Sequence, residues 1–163
     1  MKIVKFDGVE VPELQTKGNA AKFITPFAKE FCKGIGYDIG CNRMEWCLSG
    51  AIPVDPLLDD RFHATNLPFG KKDFIFSSHC LEHVTDPWYD VLKYWYENIS
   101  DGGVIFLYLP SYESRYWRPW NNKKHVHIFT PEIMKDAFIA LGMKNVFVSG
   151  IDLMNSFAIV GEK

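Results

Sequence analysis

Apolar positions along the chain fall into short runs punctuated by turn residues, and the spacing within the runs switches between two and three-to-four. Val4 to Val11 alternates about Asp7-Gly8, a dipeptide that favours a tight turn, so a short hairpin or N-terminal arm is expected. From about Asn19 to Lys33, Ala21, Phe23, Ile24, Phe27, Ala28 and Phe31 recur at helical spacing. Pro26 falls inside that stripe and is expected to start or kink the helix rather than sit mid-way along it. Gly34 ends the segment.

Beyond Gly34 the pattern alternates strand and helix. Ile35 to Ile39, Ala51 to Val54, Phe74 to Ser77 and Val104 to Leu109 are short apolar runs closed by Gly40, Asp55-Pro56, Ser78 and Pro110. Such runs suit strands of a parallel sheet covered on both faces. Asp86-Pro87 supplies an N-cap and a proline at the first helical position, with Trp88, Leu92, Trp95 and Ile99 as one face. Thr130-Pro131 opens a second helix, with Ile133, Met134, Ala137, Phe138 and Leu141 inward and Gly142 at its end. Asn145 to Ser149 and Ser156 to Val160 have no helix between them, which predicts an antiparallel pair at one edge. That ending departs from the usual dinucleotide-binding order.

Length and composition narrow the class. A chain of 163 residues suits one domain with one core, covering residues 1–163, with an arm and helix over 1–33 and the α/β core over 34–163. Hydrophobic residues at 47% and charged residues at 23% are the balance of an ordinary globular protein. A net charge of −2 lacks the basic excess of a chain that tracks phosphate, so no nucleic-acid partner is expected. No run is long enough to span a bilayer, and the N-terminus carries no apolar signal core, so no membrane partner and a cytoplasmic location are expected. Cys32, Cys41, Cys47 and Cys80 lack C-x-x-C spacing and read as reduced thiols.

The chemistry gathers at strand ends. In Tyr37-Asp38-Ile39-Gly40-Cys41-Asn42-Arg43 a strand closes on a glycine that permits a sharp turn, and the Asp38 carboxylate can accept from a ligand's ammonium. Asp55, at the end of the next strand, has the placement that holds both hydroxyls of a ribose. Read singly, each feature is equally a plain turn. Their succession is more informative, because ligands of such sheets bind at the carboxyl ends of the strands.

Further along stand Leu67-Pro68-Phe69, Asp73-Phe74 opening a strand, Leu81-Glu82-His83-Val84, Asp86-Pro87, Gly102-Gly103 and His127-Ile128-Phe129-Thr130-Pro131-Glu132. In this order they resemble the class I S-adenosylmethionine-dependent methyltransferases of the type 11 kind, over Tyr37 to Pro110 and His127 to Lys163. The resemblance implies a Rossmann-like three-layer sandwich with a mostly parallel, seven-stranded sheet ending in the antiparallel pair. It implies S-adenosylmethionine as cofactor, with Asp38, Gly40 and Cys41 under the methionine moiety. Asp55 would meet the ribose, Pro56 and Leu57 the adenine, Ala64 and Thr65 the adenine edge, and Ser78 and His79 the sulfonium end. Three features depart from the family pattern. Asn42 and Met44 replace glycines, His63 replaces an acidic residue, and the first helix shortens to about Arg43 to Leu48.

Methyl transfer from a sulfonium is an in-line displacement that depends chiefly on positioning. A base is needed when the acceptor must lose a proton, and His79 and His125 are the candidates for that role. His83 and His127 read as structural. The spacing from His79 to His83 can set two imidazoles on one helical face like a metal pair, but no third ligand is evident and no metal site is expected. The loop Ser111 to Trp120 follows the last parallel strand. Its Arg115 and Arg118 suit an anionic acceptor, and Tyr116, Trp117 and Trp120 suit stacking on a sugar or ring. The expectation is methyl transfer to a small-molecule or glycan acceptor by a monomer or homodimer. An inactive binding domain of the same fold is the alternative. A nicotinamide-dependent oxidoreductase is disfavoured by the missing G-x-G-x-x-G and by the terminal strand pair.

Overall fold

The computed structural model describes residues 2–6, 8–17 and 20–163. Strands β1 (Ile3–Phe6) and β2 (Val9–Pro12) form the antiparallel hairpin that the alternation predicts; its Asp7 lies outside the described residues. A single turn, α1 (Glu13–Thr16), leads to α2 (Ala21–Phe31). The predicted helix start at Asn19 also lies outside the described residues. Pro26 sits mid-way along α2, contrary to expectation. It faces solvent, where the missing N–H bond costs least. Ile24 and Ala28 are the buried part of the α2 stripe, while Phe23 is exposed.

The main sheet contains β3 (Gly36–Ile39), β4 (Ala51–Val54), β5 (Lys72–Ser78), β6 (Ile99–Pro110), β7 (Lys144–Val148) and β8 (Ser156–Glu162). Their order is β4-β3-β5-β6-β8-β7. The first four run parallel, and β8 enters antiparallel beside β6 and pairs antiparallel with β7. Among the described residues the sheet has six strands rather than the seven expected, and β1 and β2 form a separate two-stranded sheet.

Alternation along the strands builds three layers. Phe74, Phe76, Phe106 and Tyr108 face α2 with Ala28 and Ile24. Ile75, Ile105, Leu107 and Ile159 face the other way, against α3 (Trp88–Glu97) and α4 (Pro131–Ala140). Each such fully buried apolar side chain contributes about 1.5–3 kcal/mol. Gly36 is required by close approach, since a Cβ there would lie 2.3 Å from the Phe74 ring.

The helix starts separate two kinds of cap. Thr130 Oγ1 accepts from the Ile133 N–H at 3.3 Å, as expected. Asp86 does not cap α3; Pro87 occupies that position and the helix begins at Trp88. Ile99 lies past the end of α3 as the first residue of β6, and Ile133 is exposed on α4. Among the described residues no helix is long and apolar enough to cross a membrane.

Candidate functional site

The carboxyl ends of β3, β4 and β5 open into a cleft of about 1040 Å³, at the upper end of the roughly 300–1,000 Å³ typical of small-molecule sites. Gly40 begins its floor with φ +82°, and an added Cβ would lie 2.5 Å from Cys80 Cβ. Asn42 follows at φ +65°, a left-handed geometry that asparagine tolerates, where the family pattern has glycine. Met44 has no positive φ and stands exposed in the three-residue turn Met44–Trp46. That turn is all that remains of the expected Arg43–Leu48 helix.

Two buried acids hold this loop. Asp38 accepts from the Leu48 N–H at 2.6 Å, and Asp55 accepts from the N–H groups of Asn42 at 2.8 Å and Leu57 at 2.9 Å. Burial pushes the Asp38 carboxyl up to about 7, opposed by the Leu48 N–H and the Cys47 thiol and reinforced by the neighbouring Asp55 charge. Without a helix after Gly40, these carboxylates organise the backbone that a helix N-terminus would otherwise present.

Asp38, Gly40, Cys41, Asp55 and Pro56 all line the cleft, as do Ala64, Thr65, Ser78 and His79 on its other walls. The buried Trp95 indole N–H donates to the Ala64 carbonyl at 2.6 Å, tying α3 to that wall. His63 lines the cleft where an acidic residue was expected, and its Nδ1 lies 3.3 Å from the Thr65 N–H and 3.1 Å from Thr65 Oγ1. Ser78 Oγ is buried with no hydrogen-bond partner.

Imidazoles and aromatic rings also line the cleft. His79, at φ +51°, places Nε2 2.9 Å from Ser156 Oγ. Trp117 touches His79 at 4.9 Å between ring centroids and stacks on His125 at 5.2 Å and 8°. Burial, with repulsion from His125 and His83, depresses the His79 imidazole to about 3; burial and His83 depress His125 to about 4. Both are therefore neutral at physiological pH and weaker bases than a free histidine.

Of the loop residues, Tyr116 and Trp117 line the cleft, whereas Arg115, Arg118 and Trp120 are not among the residues lining it. Arg118 Nε donates to the Tyr112 carbonyl at 3.0 Å, and its guanidinium lies over the Tyr112 and Trp120 rings. Phe6 of the hairpin packs edge-on against Tyr116 at 4.9 Å. Gln15, whose buried amide donates to the Met154 carbonyl, brings the N-terminal segment to the same rim.

Several members of this arrangement are not evident in the sequence. Ser156 and Gln15 have no motif to mark them. The buried Glu82 gathers with His83 and His125, a group that leaves out the His79 of the His79–His83 spacing.

A family model described as a methyltransferase domain matches residues 17–148. The chain belongs to that family. It has the Rossmann-like methyltransferase fold that the motif order implied. Its structure resembles a possible histamine N-methyltransferase from Thermotoga maritima, with a TM-score of 0.72, 19% identity and 92% of each chain covered. A methyltransferase from Archaeoglobus fulgidus aligns with a TM-score of 0.66 and 18% identity, over 91% of this chain and 94% of that one. A third neighbour is the 1,6-didemethyltoxoflavin-N1-methyltransferase of Burkholderia thailandensis, solved with its substrate and S-adenosylhomocysteine. It has a TM-score of 0.68 and 13% identity, over 93% of this chain and 81% of that one. No curated protein sequence matches this chain.

S-adenosylmethionine is the cofactor that the motif order implies, and two structural neighbours are solved with S-adenosylhomocysteine. The residues present fit it. The cleft has the volume, two buried carboxylates suit an ammonium and a ribose diol, and the unpartnered Ser78 hydroxyl offers a further polar contact.

Proposed function

We propose that this methyltransferase transfers a methyl group to a small-molecule or glycan acceptor by in-line displacement, working in the cytoplasm as a monomer or homodimer. The observation that carries the reading is a cleft lined both by buried acids at the loop after β3 and by aromatic rings and neutral imidazoles. Bound S-adenosylmethionine would supply an electrophilic methyl group on a sulfonium.

Asp38 would hold the methionine ammonium, and Gly40 and Cys41 would lie under that moiety. Asp55 would accept from the ribose hydroxyls, as acids at this strand end do. Pro56 and the Ala64-Thr65 wall would flank the adenine, and Ser78 and His79 would close the sulfonium end. Tyr116 and Trp117 would stack on the acceptor. Arg118 would keep the loop folded, through Tyr112 and Trp120, leaving Arg115 the freer cation for an anionic group. His79 and His125 offer lone pairs that suit orienting an acceptor N–H or O–H more than extracting a tightly held proton.

The test is transfer of a labelled methyl group from S-adenosylmethionine to a panel of small-molecule and glycan acceptors. Trp117→Ala should raise the acceptor KM while leaving S-adenosylhomocysteine affinity unchanged. A second reading, cofactor binding without turnover, draws on the reduction of the first helix to three residues. Tight S-adenosylhomocysteine binding with no transfer to any acceptor would favour it.

A further inference from the structure

Glu82 is a carboxylate in an unusual position. Its side chain is 0% exposed, and neither Oε1 nor Oε2 has a hydrogen-bond partner. Burying an unpaired carboxylate costs several kcal/mol. What surrounds it is nitrogen: His83 Nε2 lies 3.6 Å from Oε1, His79 Nδ1 3.6 Å and His125 Nε2 3.9 Å. These separations are too long for hydrogen bonds, so the imidazoles ring the carboxylate without bonding to it.

We propose that Glu82, His83 and His125 form a binding site for a late first-row divalent cation of the Zn²⁺ type. One ligand atom from each of the three lies within 4.8 Å of the others. Bonds of about 2.0–2.2 Å from one ion to nitrogen and carboxylate oxygen set tetrahedral ligand atoms roughly 3.3–3.5 Å apart. The two oxygen–nitrogen separations, 3.6 and 3.9 Å, need to contract by only a few tenths of an ångström. Two imidazoles with one carboxylate is a donor set suited to Zn²⁺ and Fe²⁺ rather than to Ca²⁺ or Mg²⁺, which take oxygen ligands.

The surroundings prepare the ligands. His83 Nδ1 stands 2.8 Å from the Lys124 carbonyl, which can only accept. Nδ1 therefore carries the proton, and the lone pair of Nε2 points toward Glu82. Such a backbone acceptor behind a ligating imidazole fixes its tautomer and orientation. His125 is held by its stack on Trp117. The N–H groups of Val126 and His127 donate to the Glu82 carbonyl at 2.8 and 3.2 Å, joining the two distant segments that carry the ligands.

His83 and His125 line the cleft and Glu82 does not, so an ion held by the three would present its open coordination position to the cleft. There the ion would take a hydroxyl or carbonyl oxygen of the acceptor and polarise it. That role rests on the methyl-transfer reading; the site itself does not.

The test uses untagged full-length protein stripped with a chelator. Titration with Co²⁺ should give one equivalent of visible d–d absorption from nitrogen and oxygen ligands, displaced by Zn²⁺. Glu82→Gln and His83→Ala should each weaken Zn²⁺ affinity at least about 100-fold, beyond the 10–100-fold typical of losing an outer-shell partner. S-adenosylhomocysteine affinity and the melting temperature, measured on both variants, establish that they fold. Absence of the Co²⁺ spectrum in the wild-type protein would overturn the proposal. So would unchanged affinity in folded variants, or a strong thiolate charge-transfer band, which would assign the metal to cysteines. Methyl transfer without Zn²⁺ binding would overturn this site alone, and Zn²⁺ binding without methyl transfer would leave it standing.

Discussion

Asp38 offers a quantitative test, because its ligand-free state and its proposed role require opposite protonation. Burial pushes its carboxyl from the ordinary 3.8 up to about 7. Between those values the folded protein holds a proton that the unfolded chain has released. Stability therefore falls as pH rises through that window, and the loss is complete above the folded value, on the order of 4 kcal/mol. A cofactor ammonium needs the carboxylate, so affinity must move the other way. S-adenosylhomocysteine binding should weaken roughly 25-fold from pH 7.5 to pH 5.5, as the ionised fraction of a group titrating at about 7 declines. Calorimetric titrations at several pH values measure this directly, with thermal melts of the ligand-free protein over the same range. Asp38→Asn should bind weakly at every pH and lose both slopes. A wild-type affinity that is flat across this range would refute the pairing of Asp38 with the ammonium.

Three further substitutions probe the same cleft. Gly40→Ala should destabilise the protein by about 2 kcal/mol or more in a thermal melt, since its positive φ disfavours a side chain and the new Cβ meets Cys80; an unchanged melting temperature contradicts it. Asp55→Ala should lower S-adenosylhomocysteine affinity at least about 10-fold, because charge-assisted hydrogen bonds contribute about 1.5–3 kcal/mol each and Asp55 also holds the Asn42 N–H; equal affinity by calorimetry would remove it from the site. Arg118→Ala should raise the acceptor KM several-fold with cofactor affinity intact, as the loop held at Tyr112 and Trp120 loosens; parallel loss of both would assign Arg118 a general structural role.

The strand ends were legible because parallel strands are short apolar runs that glycine, proline and aspartate terminate, as at Gly40, Asp55 and Pro110. Helix starts were legible where a side chain caps, as at Thr130, and misplaced where proline itself took the capping position, as at Pro87. The fate of the first helix depended on tertiary packing. The seventh strand was implied by the resemblance alone and no apolar run marked it, and the residues after Gly40 give up helical bonds to donate to Asp38 and Asp55.

Asp38, Gly40 and Asp55 could be read locally, because each sits at the end of a strand. The cluster around Glu82 could not. His125 reaches Glu82 only because the segment after the aromatic loop docks its backbone on the Glu82 carbonyl, a contact between residues far apart in sequence. Arg118 illustrates the converse. A basic residue in an acceptor-facing loop suggested a ligand, but the neighbouring Tyr112 carbonyl and rings occupy it.

The most direct measurement of the central claim is a calorimetric titration of the wild-type protein at neutral pH with S-adenosylhomocysteine, alongside NAD. The cleft at Asp38, Gly40 and Asp55 predicts one equivalent of S-adenosylhomocysteine bound and no heat from NAD. A folded protein that binds neither, or that prefers NAD, would contradict it.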